Sequence, residues 1–404
     1  MAGILDGIKV IEVASMAAGP NATVILADLG AEVIKVEPLS GDPWRYGHLT
    51  PGLPPSDIPW TTFIQNRSKK SVALNLRKPE AQAVLNKLVA DADVFLTNSP
   101  RPVQQALNHS YEDIKAINPK IVFASINGFG LDGPDKDDPG FDATAWYART
   151  GVAEELRPRD GAPVAQPVGL GDLGTASTLA GAVMGALFHR ERTGKGSEVS
   201  TSLMNNGLWA NSCMMQAALV GVPAMPKFHL EEWPNPIAGG RYRTADGRYI
   251  MVVEINPNNA GTLLEAFGGD RLKNDERFST PQLRLKNHRE LFGEIQEYVA
   301  ANDLATVKAR LKSSGVNFSV VQTTEECTRD VHMIANGCFP EVEGAEGIRT
   351  VDSPMQIQSE GTQKIKPRKP PAVGEHTLTE LAALGYSEED IKAMAEAGAV
   401  GLSG

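Results

Sequence analysis

Short apolar runs alternate with stretches of helical periodicity through the first third of the chain. Ile8-Lys-Val-Ile-Glu-Val13 reads as a buried strand, Ala14 to Leu29 as a tight turn followed by a helix, and Gly30-Ala-Glu-Val-Ile-Lys-Val36 as a second strand. A strand, helix and strand within about 30 residues predict a parallel α/β sheet. The pattern repeats, with a strand at 71–76, a helix at 79–90, and strands at 94–97 and 121–126 flanking a further helix. The fold class expected is therefore α/β, with a doubly wound, Rossmann-like parallel sheet. No G-x-G-x-x-G follows the first strand, so the dinucleotide fingerprint is absent. The stretch 38–59 is a long Pro- and Gly-rich loop, of a length at which loops tend to be functional. The stretch 128–140 combines glycine, proline and charge in a way regular structure does not accept. Prolines at 223, 226, 234 and 236 mark a change of composition, after which 240–253 reads as a hairpin turning at Ala245-Asp-Gly247. Helical segments then fill 259–311, and a helix-turn-helix pattern closes the chain at 377–397.

One stretch departs from this alternation. In Pro167-Val-Gly-Leu-Gly-Asp-Leu-Gly-Thr175, the carboxylate of Asp172 stands among Gly169, Gly171 and Gly174, ahead of a small-residue run that predicts a helix of about 17 residues. Glycines let a ligand approach the backbone closely. A helix N-terminus favours an ionised carboxylate nearby. That suits a carboxylate nucleophile. It suits a plain helix N-cap equally, and the local residues leave both readings open.

Composition narrows the classes. The 404 residues allow two or three domains and an ample core, with 42% apolar and 22% charged residues as in ordinary globular proteins. A net charge of −10 argues against a nucleic-acid surface. Three scattered cysteines without CxxC spacing fit a reducing cytoplasm, and Cys213, in an apolar helical pattern, is expected to be buried packing. The first residues lack the basic and apolar regions of a signal peptide, and no apolar run reaches the ~18 residues of a membrane span. The seven histidines show no metal spacing, so no metal is expected.

Taken in order, Gly7-Ile-Lys-Val-Ile-Glu12 with Ala18-Gly-Pro20, Leu29-Gly-Ala-Glu-Val-Ile-Lys-Val-Glu37, Gly41-Asp-Pro43, Asn66-Arg-Ser-Lys-Lys-Ser-Val-Ala-Leu-Asn-Leu76, Gly171-Asp172, Thr193-Gly-Lys-Gly196 and Gly374-Glu-His-Thr377 resemble the class III CoA-transferases, the CaiB/BaiF superfamily that includes formyl-CoA transferase and α-methylacyl-CoA racemase. Gly128-Phe-Gly130, Pro139-Gly-Phe-Asp142 and Trp233-Pro-Asn-Pro236 look most like its 2-hydroxyacid branch. The residues 225–325 read as a smaller α+β domain after a linker helix at 201–224, and the resemblance implies a large α/β domain made of both chain ends, 1–200 with the return segment 326–404. It implies a homodimer of interlocked chains.

It further implies that coenzyme A moves between an acyl-CoA donor and a small carboxylic acid, 2-hydroxy, aryl or branched, through an aspartyl-CoA thioester on Asp172. Gly171 and Gly174 would frame that residue, and Asp142 would be a second site carboxylate or else a cap. Ala17, Ala18, Arg45, Lys69, Ser71, Asn98, Arg101 and Lys136 are the expected contacts of the cofactor, whose phosphates call for basic groups. Trp44, Tyr46, Trp146, Tyr147 and Trp233 are candidates for the acyl pocket or for core. Three departures from the formyl-CoA transferase pattern, Pro38, Ala17 and the short Ala238-Gly-Gly240, point to a bulkier and more apolar acid than formate or oxalate. Two alternatives stand beside this reading. One is an acyl-CoA racemase or isomerase, disfavoured because Phe141 occupies the position of the racemase histidine. The other is an inactive CoA-binding partner subunit.

Overall fold

Six strands, β1 (Lys9–Val13), β2 (Glu32–Glu37), β3 (Lys70–Leu74), β4 (Val94–Thr97), β5 (Val122–Asn127) and β6 (Ser197–Ser202), run parallel in the computed structural model, which describes residues 3–357 and 359–403. Four more follow: β7 (Ala238–Arg243), β8 (Tyr249–Val253), β9 (Phe318–Val320) and β10 (Val400–Gly401). The large sheet has the order β10-β3-β2-β1-β4-β5-β6, and only β10 is antiparallel, pairing Val400 with Leu74. β-branched and aromatic residues fill the central strands because both faces are covered. Val10, Val33, Val94 and Val122 pack on one side beneath the helix Ala18–Asp28 and the central helix Leu170–Thr193. Ile11, Ile34, Phe95 and Phe123 pack on the other beneath the helix Pro79–Ala90 and the C-terminal residues Leu381 and Ile391. The strand order diverges on either side of β1, and a doubly wound sheet opens a crevice at the carboxyl ends there.

The chain forms two compact units. The larger holds residues up to 155, 165–222, and 335 onward. The smaller joins 156–164 to 223–334, and its antiparallel β7-β8-β9 sheet buries Tyr242, Ile250 and Val252 against Leu263, Phe267, Leu291 and Ile295.

Three features differ from the sequence reading. The central helix runs for 24 residues from Leu170, so Asp172 lies inside its first turn rather than ahead of it. The polar segment Ser-Glu-Val-Ser-Thr-Ser forms β6, where one side of the sheet ends and little apolar periodicity is needed. Cys213 is exposed, on a helix (Ser212–Leu219) none of whose residues is buried, so it is not core packing within this chain. No helix among the described residues is long and apolar enough to cross a membrane.

Candidate active site

The site is assembled from the turns at the carboxyl ends of β1, β4 and β5. After β1 the chain makes the turn Ala14-Ser-Met-Ala17 and enters the helix Ala18–Asp28, whose N-terminus carries neither a side-chain cap nor an acidic residue. Asn98, just past β4, clamps that turn. Its Oδ1 accepts from the Ser15 amide at 3.0 Å, and its Nδ2 donates to the Ser15 carbonyl at 2.7 Å. Beyond β5, Gly128 and Gly140 meet backbone to backbone: a Cβ on Gly128 would lie 2.7 Å from the Gly140 Cα. That contact closes the loop 128–140 on itself and delivers Phe141 and Asp142 to the cavity.

The segment Asp142–Ala148 is then wound as a π-helix, a form that concentrates at functional sites. It sets Trp146 directly under the start of the central helix. A Cβ on Gly171 would fall 2.3 Å from Trp146 Cγ and 2.5 Å from Asp142 Oδ1, so only glycine fits. Gly169 opens the helix with φ +80°, a left-handed angle that glycine adopts freely. The cap of this helix comes from elsewhere in the chain: the Gly171 amide donates to Asp142 Oδ1 at 3.0 Å. Asp142 Oδ2 is buried without a partner. Asp142 therefore caps the helix, and Asp172, at the third position inside it, does not.

Asp172 is half-buried on the wall of a cavity of about 540 Å³, and no described residue donates a hydrogen bond to it. Burial first, and then the like charge of Asp142, push its carboxyl up to about 7. Burial also raises Asp142, against the Gln166 side chain and the amides of the helix start that lower it. A carboxylate short of solvation and of hydrogen bonds is a reactive one.

The cavity brings together Asp172, Asp142, Ala17, Ala18, Asn98, Arg101 and Lys136 from the expected set, with Trp44 from the loop after β2. Gly171 lies behind the wall, buried, and Gly174 faces open space on the exposed side of the helix. Arg45, Lys69 and Ser71, expected as cofactor contacts, do not line this cavity. Arg45 forks onto Glu37 at 2.6 and 2.8 Å, and Ser71 donates to the same carboxylate at 2.6 Å. Lys69 donates to Glu12 at 2.7 Å and to the Pro20 carbonyl. Glu12 and Glu37 are buried, and a buried carboxylate requires such partners. Against the burial that would raise it, Lys35 and Lys69 hold Glu12 down to about 2. Of the aromatics, Trp146 and Tyr147 are buried beneath the site, Tyr46 is exposed and Trp233 belongs to the smaller unit.

Sequence reading missed a second cavity, about 620 Å³, along the carboxyl ends of β1, β2 and β3. It shares Ser15 and Ser99 with the first and is lined by Leu39, Arg77 and His109. His109 is fully buried, its ring nitrogens make no well-formed hydrogen bond, and burial pushes it down to about 4. No motif marks it; the one available signal was its place shortly after β4 in a doubly wound sheet. Met16, in the turn after β1, is also on the wall of the first cavity. No cluster of metal-ligating side chains occurs among the described residues.

The family model for CoA-transferase family III matches residues 5–377. The chain is 32% identical to the (R)-2-hydroxy-4-methylpentanoate CoA-transferase of Clostridioides difficile, covering 96% of this chain and 97% of that one. It is 33% identical to the cinnamoyl-CoA:phenyllactate CoA-transferase of Clostridium sporogenes, over 96% and 95% of the two chains. A solved CaiB/BaiF family protein from Brucella suis superposes with a TM-score of 0.83 at 28% identity, covering 95% of this chain and all of that one.

Proposed function

Because the chain belongs to CoA-transferase family III, we propose that it moves coenzyme A from an acyl-CoA to a carboxylic acid through a thioester on Asp172. The ionised Asp172 attacks the donor thioester carbonyl, and collapse of the tetrahedral adduct expels the CoA thiolate and leaves a mixed anhydride. The thiolate attacks the aspartyl carbonyl, which releases the donor acid as its carboxylate and leaves aspartyl-CoA. The acceptor carboxylate repeats the two steps in reverse, and Asp172 is regenerated. Covalent catalysis divides one difficult exchange into easier ones. Each tetrahedral adduct carries an oxyanion that needs amide donors. The uncapped helix start at Ala17 and Ala18 and the glycines around Asp172 supply them in this reading.

Coenzyme A spans both cavities. Its reactive end lies by Asp172, and its nucleotide lies at the carboxyl ends of β1 to β3, where doubly wound sheets bind nucleotides. Arg101 and Lys136 in the first cavity and Arg77 in the second are the basic groups for its phosphates. The relatives named for 2-hydroxy-4-methylpentanoate and phenyllactate, together with the apolar walls at Trp44, Leu131, Phe141 and Val168, favour a 2-hydroxy acid with a branched or aryl side chain. Phe141 has no proton to exchange, which weighs against racemisation at the α-carbon. The catalytic unit is a homodimer of interlocked chains.

The observation that carries this reading is the raised, hydrogen-bond-free carboxyl of Asp172 on the cavity wall. Mixing the protein with cinnamoyl-CoA and quenching with hydroxylamine is expected to convert Asp172 to a hydroxamate, located by peptide mass spectrometry. The Asp172→Asn variant is expected to show none. Transfer of CoA to phenyllactate with no modification at Asp172 would overturn the mechanism.

A further inference from the structure

Met16 has φ +66°, and of the three described non-glycine residues with positive φ it is the one that lines the first cavity. A left-handed angle disfavours any residue with a Cβ and persists only where the surroundings impose it. Here the residue is bonded to a buried ionic group. The Met16 amide donates to Asp42 Oδ1 at 3.1 Å, and the same oxygen accepts from the Trp44 amide at 2.9 Å. Asp42 Oδ2 accepts from Lys35 Nζ at 2.9 Å. Lys35 also donates to Glu12 at 2.6 Å and to the Ala14 carbonyl at 2.8 Å, two residues before Met16. Asp42 and Lys35 are both fully buried. The turn is thus held at Ala14 by Lys35, at Ser15 by Asn98 and at Met16 by Asp42, immediately before the uncapped helix start on the cavity wall.

We propose that Asp42, fixed by Lys35, is a positioning residue that keeps residue 16 left-handed and so aims the helix N-terminus at the reacting carbonyl. This rests on the transferase reading above. A carboxylate shared between an ammonium and two amides has little freedom, because charge-assisted hydrogen bonds are short and directional. Loss of Asp42 lets residue 16 relax to negative φ and turns the following amides away. Glycine at that position has no steric reason to relax, so it lessens the need for the clamp.

The test is a double-mutant cycle of Asp42→Ala and Met16→Gly, read as the rate at which cinnamoyl-CoA labels Asp172 at saturating donor. Asp42→Ala is expected to slow labelling at least about tenfold in the otherwise native chain, with the donor KM changed less than kcat. In the Met16→Gly background the same change is expected to slow it no more than about threefold. An equal loss in both backgrounds would make Asp42 merely structural, and labelling at the native rate would dismiss it; either overturns the proposal. Should Asp42→Ala fail to fold, the isosteric Asp42→Asn, which drops the charge facing Lys35, takes its place in the cycle under the same criteria. Absence of any label on Asp172 in the native protein would instead overturn the transferase mechanism, a separate result.

Discussion

The carboxyl of Asp172 sits where its charge is penalised, by burial and by Asp142 beside it, and two measurable consequences follow from its rise to about 7. A nucleophile must be ionised, so kcat/KM should fall below about pH 7 with unit slope. Asp142→Asn removes the like charge while its amide oxygen still accepts from Gly171, so the acid limb should move to lower pH. An unmoved limb in a pH–rate profile would show that Asp142 does not tune its neighbour. The second consequence concerns stability. A carboxyl raised from 3.8 to about 7 binds more protons in the folded than in the unfolded chain between those values, so it costs stability as pH rises through that window. Asp172→Asn should therefore melt a few degrees higher than the native protein at pH 8, and the gap should close below pH 4. Asp172 stood out as a candidate in the sequence because glycines frame it. Whether it caps or reacts was not legible, since both roles favour the same local residues; a helix beginning two residues earlier decides against the cap. Arg45 and Lys69 show the same limit: sequence shows a cation, and only the fold shows that Glu37 and Glu12 hold it.

At the level of elements, the central strands declared themselves through continuous apolar runs, because a parallel sheet covered on both faces leaves no polar positions between them. β6 did not, being polar and paired with β5 across some 70 residues that carry the site itself, and neither did the two-residue β10. The π-helix was invisible too, since its winding follows from how Trp146 must sit under Gly171 and not from any period in its own residues. That contact makes the helix start intolerant of volume. Gly171→Ala should lower stability in urea unfolding by about 1–3 kcal/mol through overpacking, and should also slow labelling of Asp172, because the added methyl presses on both Trp146 and Asp142. Gly174→Ala, facing open space, should leave stability unchanged or slightly improved, the ordinary helix preference for alanine. Equal losses at the two glycines would contradict the packing described.

At the scale of the molecule, the segment after β6 exposes an apolar face that an isolated chain does not account for. Trp209 is 80% exposed, Leu219 81% and Val220 67%, on and beside two short helices, the second of which buries nothing. Eight-residue helices draw their stability from a covered face, and contiguous exposed apolar surface marks an interaction site. In the proposed homodimer a second copy of the chain would cover this face, and with it Cys213, which carries an apolar pattern yet lies exposed in one chain. The interlocking came from family resemblance alone, as no periodicity encodes how two chains thread. It has a consequence that an ordinary dimer lacks: threaded chains exchange partners only by unfolding. Two differently tagged preparations, mixed for days under native conditions, should form no mixed dimers by native mass spectrometry, whereas refolding them together from urea should yield about half mixed species, as random pairing of two equal populations requires. Light scattering should give the dimer mass before unfolding and after refolding, and Cys213 should resist a thiol reagent until urea is added. Mixed dimers appearing within hours of native mixing would rule out threading. Prompt labelling of Cys213 in a species of dimer mass would place the partner elsewhere and leave the face around Trp209 unexplained.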